Sequence, residues 1–240
     1  MKIYTLLGLL LLPLHFLSAQ QNQFHEAENA YASGIYQEAI DLYQQLINEP
    51  SNQPELYFNL GNAAYKKGDL ALAIKSYRRA QYLAPTDPDI RANLRYALDT
   101  IGAPIPEKNR FERIVFSLSE SQWIQLASGL SGLLIIALFI ILILNRPQLV
   151  LKRIARLFTF FLVISIIALA QYQKRNNHPE YVVIESETAV KLAPLENSKI
   201  AFNLPAGSIV STLRKHQNEW LQIKINHQTG WIKAHQIDPI

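Results

Sequence analysis

The chain has 240 residues and a net charge of +4, is 49% hydrophobic and 18% charged, and contains no cysteine. Without cysteine there are no disulfides, thiolate nucleophiles, zinc ribbons, iron–sulfur clusters or lipoprotein anchor. Soluble domains average about 25% charged residues, and the shortfall here lies in three apolar runs at 3–17, 124–144 and 157–170, which excludes a simple cytoplasmic globule.

Residues 1–19, MKIYTLLGLLLLPLHFLSA, set Lys2 before an apolar stretch that closes on Ser18-Ala19. This layout predicts a secretory signal peptide cleaved after Ala19.

An internal repeat follows. Segments 20–53 and 54–87 align at a shift of 34 residues. In the second, Tyr57, Leu60, Gly61, Tyr65, Gly68, Ala73, Ile74, Tyr77, Ala80, Leu83 and Pro85 fall on the signature positions of a tetratricopeptide repeat. In the first, Ala27 replaces Gly61, while Tyr31, Gly34, Ala39, Ile40 and Tyr43 keep the register and Pro50 comes one place early. Small residues let paired helices approach closely, and Gly34 and Gly68 are expected to end first helices in the left-handed conformation. Residues 88–101 predict a capping helix that starts at Pro88 and buries Ile90, Leu94, Ala97 and Leu98. An all-α array of this size is short of the roughly three repeats usual for independent stability, so support from outside it is expected. Repeats of this kind bind protein segments in a groove lined by the first helix of each pair. The groove-facing candidates are Phe24, Glu28, Tyr31, Phe58, Asn59, Asn62, Tyr65, Lys66, Asp89 and Asn93. Of the positions with which one subclass clamps a C-terminal carboxylate, only Asn59 is retained, so that mode is not expected.

Residues 102–122 read as a linker with a juxtamembrane helix, since Phe111, Ile114, Val115 and Leu118 have helical spacing. A membrane hairpin is predicted over 123–172, with spans at 124–144 and 154–172. The first span, at about 1.5 Å per residue, matches a hydrocarbon thickness of roughly 30 Å. Trp123 and Tyr172 stand where interfacial aromatics belong. The loop 145–156 carries Arg146, Lys152, Arg153 and Arg156 and no acid, which predicts a cytoplasmic loop with both flanking domains outside. Because the basic excess flanks the apolar runs, no nucleic-acid partner is expected.

Residues 179–240 change to alternating patterns in YVVIES, AVKLA, IVSTLRK and LQIKI, which predict about five short strands in a small all-β barrel. The Leu-Pro-Ala-Gly turn, Trp220 and the Gly230-Trp231 pair resemble a bacterial SH3-like domain. Trp231 reads as core and Trp220 as the candidate surface residue. No nucleophile elbow, phosphate loop, dinucleotide fingerprint or paired-histidine metal spacing occurs in the sequence. No enzyme activity and no cofactor are therefore expected.

The order of parts is signal peptide, short tetratricopeptide array, two-span hairpin and SH3-like domain. It resembles the BatE-like family of Bacteroides aerotolerance-type operons. The resemblance implies a scaffold in the bacterial inner membrane with both domains periplasmic. It also implies membrane-anchored von Willebrand factor A proteins and a MoxR-type ATPase system as partners. A cell-wall module that contacts peptidoglycan and recruits an enzyme through the repeats is the alternative.

Overall fold

The computed structural model describes residues 21–47, 53–105, 109–144, 149–177, 179–217 and 219–240. The predicted signal peptide, Pro50 and Arg146 lie outside the described residues. Helices α1 (21–32), α2 (Tyr36–Ile47), α3 (Pro54–Lys67), α4 (Leu70–Leu83) and α5 (Pro88–Thr100) form the N-terminal array. Local chemistry sets their ends. Pro54 and Pro88 occupy first turns, where the missing N–H costs nothing. The Asp69 carboxylate accepts from Leu72 N–H, and Asp87 accepts from the N–H groups of Asp89 and Ile90. Gly34 and Gly68 have φ of +79° and +93° at the ends of α1 and α3.

The repeat shift is also a shift of contacts. Phe24 packs edge-on against Tyr43 at 6.1 Å between ring centres, and Phe58 meets Tyr77 at 5.9 Å, each pair 34 residues from the other. A methyl group on Gly61 would stand 2.6 Å from the Tyr77 ring, which is itself 2% exposed. Gly61→Ala must therefore displace a rigid, buried ring. It is expected to cost about 1–2 kcal/mol, read as a lower thermal midpoint of the full chain.

Helix α6 (Arg110–Val115) opens on a reciprocal cap between Asn109 and Glu112. Helices α7 (Glu120–Leu144) and α8 (Leu149–Asn177) pack against each other and are long and apolar enough to cross a membrane. Protein covers little of their surface: Ile135 is 67% exposed and Leu142 76%. Because α8 begins at Leu149, Lys152, Arg153 and Arg156 stand on its first turns and not in a loop. All three are sound helix formers, and nothing between them and the apolar run breaks the helix. At the other end of the hairpin Val115, Trp123, Ala168 and Tyr172 share one small core. Trp123 Nε1 donates to the Val115 carbonyl at 2.7 Å, and the Tyr172 hydroxyl donates to the Leu118 carbonyl. The start of α7 and the end of α8 thus lie together, beside α6.

The C-terminal segment is one antiparallel sheet of seven strands, ordered β3-β2-β6-β5-β4-β1-β7. The strands are β1 (Glu180–Val183), β2 (Thr188–Lys191), β3 (Ile200–Leu204), β4 (Ile209–His216), β5 (Trp220–Ile225), β6 (Gln228–Lys233) and β7 (Ile237–Pro239). Strands β3 and β7 go beyond the five read from alternation, and they stand at the two ends of the ladder. Val183, Val190, Val210, Ile223 and Ile232 make the core of the sheet.

The sheet is docked on the helical array. Val182 and Ile209, paired across β1 and β4, turn away from the sheet's core and join that of the repeats. Strand period two puts the adjacent Val183 and Val210 on the opposite face. The turn before β4 comes in equally close: Gly207, at φ +92°, leaves only 2.7 Å between an added Cβ and the Ile74 methyl. The short array is therefore completed by the chain's own C-terminal sheet.

Candidate protein-binding groove and the junction beside it

The ten groove candidates divide into two groups. Phe24 and Phe58 are half-buried against the tyrosines of their own repeats. The amides act in the same way. Asn62 Oδ1 accepts from the Tyr77 hydroxyl at 2.8 Å and from Asn93 Nδ2 at 3.2 Å. Asn59 bonds the Tyr43 hydroxyl, as its equivalent 34 residues on, Asn93, bonds that of Tyr77. Burial, assisted by the Glu28 charge, pushes Tyr43 up to about 12, the Asn59 bond opposing, and burial also pushes Tyr77 upward. Both hydroxyls stay protonated, and that of Tyr77 donates to Asn62. Asn59, Asn62 and Asn93 are thus spent on tying second-helix tyrosines to first helices.

The second group faces outward. Lys66 and Asp89 are exposed, Glu28 is exposed and bonded to His25 at 3.0 Å, and Tyr31 and Tyr65 are half-buried. The sequence reading missed Tyr96, which is 63% exposed and lies 5.7 Å from the Tyr65 ring. The repeat shift contained the signal, because Asn62 plus 34 is Tyr96. Tyr65 and Tyr96 form an aromatic step across α3 and α5, with the Tyr65 hydroxyl 3.5 Å from Thr100 Oγ1.

The sheet docks elsewhere on the array, on α4. Arg78 is 4% exposed and meets Glu180 through two parallel bonds, Nε to Oε2 and Nη2 to Oε1, both 2.8 Å. Burial opposes the Arg78 charge, but the Glu180 carboxylate outweighs it and holds the guanidinium protonated. Lys75 Nζ bonds Asp238 Oδ2 at 2.5 Å beside this pair. The next residue outward is Tyr82, whose hydroxyl is buried without a hydrogen-bond partner of normal geometry. The Arg175 guanidinium, from the end of α8, lies 4.1 Å from the Tyr82 ring centre, 4.5 Å from Tyr172 and 5.1 Å from Phe116. One cation thus joins the array, the juxtamembrane helix and the hairpin.

In the sheet the two tryptophans exchange their expected roles. Trp220 is 5% exposed, because Lys191 and Lys233 lie over its ring at 5.4 and 5.8 Å. Glu196 accepts from both ammonium groups and is held below the usual carboxylate range, chiefly by its bond from Lys233. Long lysine stems shield an aromatic face well. Trp231 is half-buried, with its ring edge-on to His216. Among the described residues no group of three or more His, Asp or Glu side chains is placed to hold a metal ion.

Residues 20–88 match the tetratricopeptide repeat family. Tetratricopeptide repeat protein 16 of Mus musculus is 38% identical over 69 residues, 29% of this chain and 9% of that protein. The Homo sapiens protein of the same name is 25% identical over 87 residues, 36% of this chain and 10% of that protein. The chain spans about a tenth of the length of the curated relatives it matches. The N-terminal part is thus a tetratricopeptide region, of a kind that mediates protein–protein contact.

Proposed function

We propose that this chain is a non-catalytic scaffold of the bacterial inner membrane, of the BatE-like type, that holds a protein segment in its repeat groove. The observation that carries this reading is the open aromatic step of Tyr65 and Tyr96, flanked by Lys66, while the sheet occupies α4 instead. Helices α7 and α8 form the two-span anchor, and the array and the sheet stand together on its periplasmic side. The interfacial positions of Trp123 and Tyr172 in one shared core support that arrangement. The antiparallel sheet, with its Gly230-Trp231 strand, supports an SH3-like barrel over 179–240. The partners are membrane-anchored von Willebrand factor A proteins, with a MoxR-type ATPase acting from the cytoplasmic side.

The test is capture of partners by the tagged full chain from gently solubilised native membranes, identified by mass spectrometry. Tyr65→Ala/Tyr96→Ala is a better control than a change at Phe58, which supports buried Tyr77. Loss of two aromatic anchors is expected to lower recovery of von Willebrand factor A proteins at least about tenfold. Undiminished recovery by the variant would remove the groove from the reading. Recovery of wall fragments without protein would favour a peptidoglycan-binding module.

A further inference from the structure

A cavity of about 720 Å³ opens where α6, the end of α8, α4 and the sheet meet. Arg78, Lys174, Arg175 and Lys224 line it, against Glu112 and Glu180. Glu180 is neutralised by its two bonds from Arg78. Glu112 is partly engaged in the α6 cap, where it accepts from Asn109 N–H at 3.0 Å. Among the described residues neither Lys174 nor Lys224 has an ion-pair partner. Arg175 is fixed by three aromatic rings that leave its charge uncancelled. The cavity therefore carries net positive charge, of which the Arg175 guanidinium is held in place before any ligand arrives. Uncharged donors and acceptors from Gln171, Ser211 and Thr212 complete its wall.

The position of the cavity says what kind of anion would reach it. Gln171, Lys174 and Arg175 follow directly on the apolar run that ends at Ala170, and Asn109 and Glu112 belong to the helix that precedes α7. On the two-span reading, on which this inference rests, that is headgroup depth. Helix α6 also leaves Phe111 48% and Ile114 65% exposed beside the site. Such side chains are stable at a bilayer surface and poorly placed in water.

We infer that this cavity is a binding site for a phosphate-bearing anion, the headgroup of an anionic phospholipid, held by Lys174, Lys224 and Arg175 where array, sheet and hairpin converge. Phosphate matches a guanidinium fork together with ammonium point charges. A soluble phosphate-bearing molecule shares this chemistry, and the experiment separates the two sources.

The full chain in neutral detergent is titrated with short-chain phosphatidylglycerol, with short-chain phosphatidylcholine, and with inorganic phosphate at constant ionic strength. The readout is the thermal midpoint. Phosphatidylglycerol near saturation is expected to raise the midpoint by roughly 5–10 °C, and phosphatidylcholine is not. Lys174→Gln/Lys224→Gln replaces two exposed side chains, so its ligand-free midpoint should stay unchanged while affinity falls about tenfold or more. An equal rise with inorganic phosphate, lost in the variant, keeps the site and assigns it to soluble phosphates. No rise with either anion, a rise the variant retains, or an equal rise with phosphatidylcholine overturns the proposal. Flotation of the wild-type chain with liposomes after a carbonate wash tests the two-span reading separately, and the inorganic phosphate arm does not depend on it.

Discussion

Glu180→Ala is expected to destabilise the chain by about 3–5 kcal/mol, the cost of breaking a buried ion pair from one side. The reason is the burial of its partner. Arg78 is 4% exposed, cannot shed its charge, and among the described residues would keep no carboxylate paired with the two donors that now face Glu180. At about 2–4 °C per kcal/mol for a chain of this size, the thermal midpoint should fall by roughly 10 °C. The neighbouring Lys75–Asp238 contact is much more exposed and should not compensate. A second variant separates charge from packing. Arg78→Met/Glu180→Leu removes both charges and fills the space with apolar atoms, and such replacements are often neutral or stabilising. Its midpoint should return to near the wild-type value. If the double replacement is as damaging as Glu180→Ala, the pair is not what holds the sheet to α4.

Gly230→Ala should cost about 3 kcal/mol, at the upper end for overpacking. A Cβ there would stand 2.4 Å from Val190 Cγ1 and 3.0 Å from the Lys191 carbonyl oxygen. Val190 is fully buried and β-branched, so it cannot turn its methyl away, and the carbonyl is backbone. Strands β2 and β6 meet here through the single register pair Lys191–Trp231, and the missing side chain is what permits their approach. Val190→Ala removes the clashing methyl. The double variant should therefore be markedly less destabilised than the two single losses added together, the signature of residues in contact. Additive losses, measured by thermal denaturation, would mean that the strands are not held apart by this atom.

The helical array was legible because its constraints are local. Gly34, Gly68, Pro54 and Pro88 each act within a few residues of themselves, and the 34-residue shift repeats Gly34 as Gly68 and Pro54 as Pro88. Strand β3 was not, because its alternation is confined to residues 201–204 and broken by Ile200, which faces solvent beside Ala201 at a ladder end. Strand β7 is three residues long and closes on a proline, which hides its type. The outward part of the groove was legible, but the amide candidates were not separable from packing. An asparagine that ties a buried tyrosine and one that awaits a ligand look alike in sequence. The docking of sheet on repeats could not be read, since Arg78 and Glu180 lie 102 positions apart. A trace was present in Tyr181-Val182-Val183-Ile184: an unbroken apolar run in a short strand signals burial on both faces, which is what β1 has. Trp220 was misread for a related reason, because the lysines that cover it come from other strands.

The docked sheet imposes an order on synthesis. Arg78 is made 102 residues before Glu180, and Lys75 is made 163 residues before Asp238. At about 5–20 residues per second, the α4 face waits roughly 5–20 s for its carboxylate, and on the two-span reading both hairpin helices must be inserted in that interval. Until then the newborn array is a short solenoid with a bare guanidinium and an uncovered Ile74. The nascent chain is most open to proteases and chaperones during that wait, and a slower second insertion lengthens it without changing a single contact in the finished protein.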